Sequence, residues 1–137
     1  MLMCLPMLFS RLPYMKLARQ TSINYTFDGC KMETVDKLEI GTSGTQTFGG
    51  AFRNCDRLKN IKMTGVIGRN IDFSYSPLTV ESMKSIISCL KDYSGTDEAD
   101  LYKVSFNEDC WNNLEADSAS PTGGTWQDYV ADLGWLT

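Results

Sequence analysis

Histidine is absent from the 137 residues. The commonest general base and the commonest transition-metal ligand are therefore missing together, which disfavours serine-, cysteine- and metal-dependent hydrolysis of the usual kinds. The five cysteines include no C-x-x-C pair, so zinc coordination lacks its spacing as well as its imidazoles. The glycine-rich stretch "GTSGTQTFGG" has no Gly-Lys-Ser/Thr ending and opens no helix, which argues against a phosphate-binding loop. The acidic string "TDEAD" lacks the alternating carboxylates and central glycine of a calcium loop. No catalytic residue, metal or cofactor is expected, and the chain reads as non-enzymatic. Long apolar runs are missing too. The opening "MLMCLPMLF" is too short to span a bilayer, carries Pro6 and has no basic flank of a signal peptide, so neither membrane insertion nor export is expected.

What the chain does have is a ladder of cysteines. Cys4, Cys30 and Cys55 are separated by 26 and 25 residues, and the later two sit in matching strings, "TFDGCKMETV" and "AFRNCDRLKNI". In each string an aromatic, Phe27 or Phe52, precedes the cysteine by three residues, and Val35 or Ile61 follows it by five or six. A fixed period in this range predicts stacked units, each too small to bury its own apolar face. Equivalent cysteines in such a stack are expected to be small buried thiols, reduced and unpaired.

These strings carry a resemblance. "AFRNCDRLKNI" looks like the unit of the BspA-like leucine-rich repeats, with its pattern A-F-x-x-C-x-x-L-x-x-I, and "TSINYTFDGCKMETV" is similar to a variant of it. "IDFSYSPLTVESMKSIISCL" resembles the segment that often closes such arrays in proteins of gut bacteria and their phages. The likeness covers residues 20 to 95, with one deletion between 30 and 40, where Met32 and Val35 take the places of Leu58 and Ile61. It implies binding of proteins or surfaces by a solenoid face, and it implies no catalytic residues. The expected fold is α+β: a short leucine-rich-repeat-like solenoid at 1–75, closed by an acidic mixed helix/strand cap at 76–137. All three tryptophans, Trp111, Trp126 and Trp135, fall in the last 27 residues, a composition suited to plugging the open end of the stack.

Charge is bipolar along the sequence. Residues 1–91 hold 12 Lys and Arg against 7 Asp and Glu, whereas residues 92–137 hold Lys103 alone against 10 acids. A field of that sign repels nucleic acid and attracts a basic partner. Asp97, Glu98, Asp100, Glu108 and Asp109 are the candidate partner-binding residues, with solvated loop charge as the plainer reading. The alternative is a basic face of Arg53, Arg57, Lys59, Lys62 and Arg69. Nucleic-acid binding there is disfavoured because the aromatics nearby, Phe52 and Phe73, sit at core-type positions. The apolar start, Met1, Leu2, Met3, Leu5, Met7, Leu8 and Phe9, is expected to fold back as a cap, to form a homodimer or partner interface, or to continue a longer array.

Local signals place the elements. Strands are expected at 34–40, 59–63, 71–73 and 101–106, with turns between them. Thr79 should cap a helix bearing Val80, Met83, Ile86, Ile87 and Leu90 that ends at Ser94 and Gly95. Asn107 should cap a second helix, and Thr125 with Asp128 a third that stops at Gly134, before a short terminal strand at Trp135 and Leu136.

The function these features predict is binding of another protein by an intracellular, cytoplasmic chain. With the likeness to phage sequences, this includes a phage-encoded inhibitor of a host defence protein, its acidic end filling a basic nucleic-acid groove. The competing reading is a recognition or adhesion protein of a phage particle or cell surface.

Overall fold

In the computed structural model, which describes residues 10–137, the strands β1 (Arg11–Lys16), β2 (Thr34–Glu39) and β3 (Asn60–Thr64) lie parallel in the order β1-β2-β3. Alternation sets the buried face: Val35 and Leu38 of β2 and Ile61 and Met63 of β3 point inward, and Asp36 and Lys62 outward. Val35 faces Ile61, but Leu38 faces Met63, so β2 slips by one residue between them. The extra β2 residue makes up for the one missing between Cys30 and Val35, so that Leu38 and Met63 both fall eight residues after their cysteines and Leu38 stays in the core.

The turns ahead of these strands meet at a 25-residue offset. Asn24 Oδ1 accepts from the Gly49 amide at 2.7 Å, Asp28 pairs with Arg53 at 2.6 Å, and Lys31 with Asp56 at 2.8 Å. Buried Gln46 locks the turns from inside, accepting from the Gly41 amide and donating to the carbonyls of Leu17 and Gln20.

The second sheet is also parallel: β4 (Ile71–Phe73), β5 (Tyr102–Phe106) and β6 (Trp135–Leu136), in the order β4-β5-β6. It therefore draws one strand from before residue 75 and two from after it. Three helices complete the described residues: α1 (Val80–Ser88), α2 (Glu108–Asp117) and α3 (Trp126–Asp132). Each opens as its capping residue requires, with the side chains of Thr79, Asn107 and Thr125 accepting from the amides of Ser82, Cys110 and Asp128.

The expected α+β class holds, but the solenoid does not. Among the described residues the strands form two separate three-stranded sheets rather than one stack. The physical reason lies at β3. Where a fourth strand would bond, α1 docks instead, and the amides of Ile61 and Met63 donate to the hydroxyls of Ser82 and Ser85, each at 2.9 Å.

A row of rings runs through both halves. Phe27, Phe52, Phe73 and Phe106 stack with centroids 5.3, 4.4 and 5.9 Å apart, and Trp111 meets Phe106 edge-on at 5.2 Å. Each buried phenylalanine contributes roughly 1.5–3 kcal/mol, and the Phe52–Phe73 contact carries the row from one half into the other. A second aromatic cluster, Tyr93, Tyr102 and Trp135, closes the far side of β5 and β6, with the Trp135 indole donating to the Lys91 carbonyl. Cys4 and the apolar start lie outside the described residues.

Candidate functional site

The acidic candidates fall into two groups. Asp97, Glu98 and Asp100 occupy the turns leading into β5, whereas Glu108 and Asp109 open α2 just beyond its other end. Five residues of strand, roughly 16 Å, lie between them. Glu108 and Asp109 have a local explanation, since carboxylates in a first helical turn complement the positive end of the helix dipole. The 97–100 group has less. Glu98 is half-buried and accepts from the Tyr102 hydroxyl at 3.4 Å, while Asp97 and Asp100 are exposed. Asp100 adopts φ +63 and donates its amide to the Gly134 carbonyl at 2.8 Å.

That last bond brings the end of α3 to the same place, and with it Asp132, which sequence reasoning passed over. It is exposed, it ends its helix, and no basic residue accompanies it in the last turn. A carboxylate at the negative end of a helix dipole is unfavourable. Gly134, φ +89, marks where this helix stops, but nothing in the sequence pairs that stop with the 97–100 turn. Asp132 and the residues of that turn have no ion pair among the described residues. Other acids of this half are occupied: Asp117 pairs with Lys84 at 3.0 Å, whose hydrogen bond holds its carboxyl below the ordinary range, and Glu115 accepts from the Trp126 amide at 2.6 Å.

The basic candidates are dispersed by the fold. Arg69 is a structural tie: its guanidinium donates to the carbonyls of Gly44 and Gly68 and lies 4.9 Å from the Tyr102 ring centroid. Arg53 is held by Asp28, whose carboxyl its hydrogen bond depresses, and it lies over Tyr25. Arg57 and Lys59 are exposed in the approach to β3. Lys62 faces outward on β3, where it lines a groove of about 460 Å³ with Asp36, Glu81, Lys84 and Ser85. Asp36 is already paired with Arg11, and Lys84 with Glu81 and Asp117, so the groove wall is balanced in charge.

The thiols divide as well. Cys30 is buried as expected but is disulfide-bonded, which corrects the expectation that it is reduced. Cys55, Cys89 and Cys110 are free and buried. Burial pushes the Cys55 thiol up to about 12, and its sulfur donates to the Phe27 carbonyl at 2.9 Å, so it is a core group and a poor nucleophile. Among the described residues no cluster of acids and cysteines has the geometry of a metal site, and no helix is long and apolar enough to cross a membrane. No family model, curated protein or solved structure matches this chain.

Proposed function

We propose that this chain is a non-enzymatic protein-binding module whose acidic end, built from Asp97, Glu98, Asp100 and Asp132, takes a basic surface of another protein. The observation that carries this reading is the position of Asp132: an exposed acid at the unfavourable end of α3, two residues before the Gly134 carbonyl that bonds Asp100, in a turn whose acids make no ion pair among the described residues. Charge gathered against local preference costs stability, and attraction of a cationic partner offsets that cost. A nucleic-acid-binding protein is the partner class that fits, because an acidic surface can occupy the groove that otherwise receives phosphates. This applies equally to the phage-encoded inhibitor that the repeat-like strings suggest.

The test is association kinetics with a partner captured from cell lysate at low salt. The chain carrying Asp97→Lys, Glu98→Lys and Asp100→Lys should associate more slowly, and wild-type association should slow as the Debye length falls from ~10 Å at 0.1 M salt to ~3 Å at 1 M. A rate that neither reversal nor salt changes sinks this reading.

A further inference from the structure

Leu101 and Leu136 stay exposed, by 59% and 46%. In the register of β5 and β6, Tyr102 faces Trp135 and Lys103 faces Leu136. The rings of Tyr102 and Trp135 meet on the inner side, with centroids 6.3 Å apart. Leu101 and Leu136 are each one residue from that pair, so alternation places both on the outer face of the sheet. There they are diagonal neighbours across the two strands, ~7–8 Å apart. Lys103 is exposed on the same face and adds its apolar stem.

A single exposed leucine is ordinary and needs no account. Two on one sheet face, at the end where acids gather, are a different matter. Asp100 directly precedes Leu101, Asp132 lies four residues before Leu136, and the Asp100 amide bonds the Gly134 carbonyl at 2.8 Å. Neither acid makes an ion pair among the described residues. The apolar pair therefore has an acidic margin that nothing in the described residues neutralises.

That margin decides what can cover the leucines. Two copies of this chain meeting through the same face would set the acids against each other. Anionic lipid and nucleic-acid phosphates are repelled for the same reason. The complementary occupant is a polypeptide that carries aliphatic side chains together with cations. Because the leucines lie on a face of the sheet and not along its edge, strand addition does not reach them, whereas a helix laid on the face does. Side chains four apart on a helix, ~5–6 Å between Cβ atoms, come close to the leucine spacing. We propose that Leu101 and Leu136 are the apolar centre of a docking surface for a basic amphipathic helix of a protein partner, with Asp100 and Asp132 meeting its cations. The proposal rests on the acidic end being a binding surface and names the kind of segment that it takes.

Two fluorescein-labelled probes of equal charge test it: an amphipathic helical peptide of leucine and lysine, and its counterpart with glutamine at every leucine position. Anisotropy should show saturable binding of the first and at least about tenfold weaker binding of the second, as withdrawing a leucine from apolar contact does. Leu101→Ser and Leu136→Thr should each weaken the leucine peptide several-fold and leave the glutamine peptide unchanged. Both should keep the melting temperature within a few degrees of wild type, because the side chains are already exposed. Absence of saturable binding, equal affinity for the two peptides, or leucine-peptide binding that survives both substitutions would overturn helix docking and leave the acidic end standing. Affinities for both peptides that ignore the Asp97/Glu98/Asp100 reversal would instead remove the acidic reading and this proposal with it.

Discussion

Ser82 Oγ accepts a hydrogen bond from the Ile61 amide at 2.9 Å and donates one to the Lys59 carbonyl at 2.8 Å. A side chain on α1 thereby stands in for the backbone of a missing strand, and Ser85 repeats the arrangement one turn later at Met63. An exposed parallel edge would otherwise present unpaired amides and invite pairing with another chain. Ser82→Ala should cost about 1–3 kcal/mol, the range for leaving a buried donor unsatisfied. Removing both hydroxyls should add concentration-dependent self-association. Urea melts and sedimentation would read the two effects, and a double variant as stable and monomeric as wild type would show that the edge needs no such cover.

Trp135 joins the last two residues of strand to Tyr93 and Tyr102 and is almost wholly buried. Trp135→Ala should destabilise by roughly 3–5 kcal/mol, as large aromatic truncations do. Because Phe52, just ahead of β3, stacks on Phe73 of β4 and ties the two halves into one ring row, both halves should lose stability in a single transition. A calorimetric trace that splits, with residues 10–64 melting as before, would mean that the sheets fold separately.

Several of these relationships could be read from the residues, and others could not. The caps at Thr79, Asn107 and Thr125 were legible because a hydroxyl or amide ahead of an apolar stripe has one good partner, the amide three positions on. The slip between Val35 and Leu38 was legible because two apolar residues three apart break the alternation of that stretch. β1 was not: "RLPYMK" contains Pro13, two cations and no clean alternation, and it is a strand because β2 offers it a template on one side. Helix α1 ends at Ser88, earlier than its apolar stripe implied, since the Ile67 amide donates to Cys89 and its carbonyl accepts from Lys91. That tertiary pairing removes Leu90 from the helix. The two-sheet division was hidden for a related reason, as a serine replacing a strand leaves no mark on periodicity. Of the candidate site, the acidic turn was visible as composition, but Asp132 joined it only through folding.

The disulfide at Cys30 and the thiol at Cys55 give opposite expectations from similar surroundings. In denaturant without reductant, Cys55, Cys89 and Cys110 should alkylate readily while Cys30 should not; reductant should release it. In the native state Cys55 should react slowly, because burial holds its thiol protonated well above neutral pH. Peptide mapping by mass spectrometry resolves each site, and fast native labelling of Cys55 would contradict its place in the core.

Stability should fall on acidification through the surface pairs. Hydrogen bonds from Arg53, Lys31 and Lys84 lower the folded carboxyls of Asp28, Asp56 and Asp117 respectively. A group whose folded value is depressed contributes fully above its unfolded value, near 4, and loses that contribution as pH drops through the folded one. Melting temperature should therefore be flat above about pH 5 from these groups and decline below about pH 4. Asp28→Asn should flatten part of that decline, and an unchanged acid limb would show that this pair is equally strong in the unfolded chain.

Asp132 separates folding from recognition most cleanly, because the two make opposite demands on it. For the fold, a cation at the end of α3 would interact favourably with the last carbonyls, and Asp132→Lys should raise stability by about 0.3–1 kcal/mol. For binding, the same change removes a negative charge from the helix end whose Gly134 carbonyl bonds Asp100 and adds a positive one, so association with a basic partner should slow. A residue that improves stability when reversed and impairs association at the same time is one retained for its surface charge. If Asp132→Lys instead lowers the melting temperature, the carboxylate has a structural partner, and the acidic end must be argued from residues 97–100 alone.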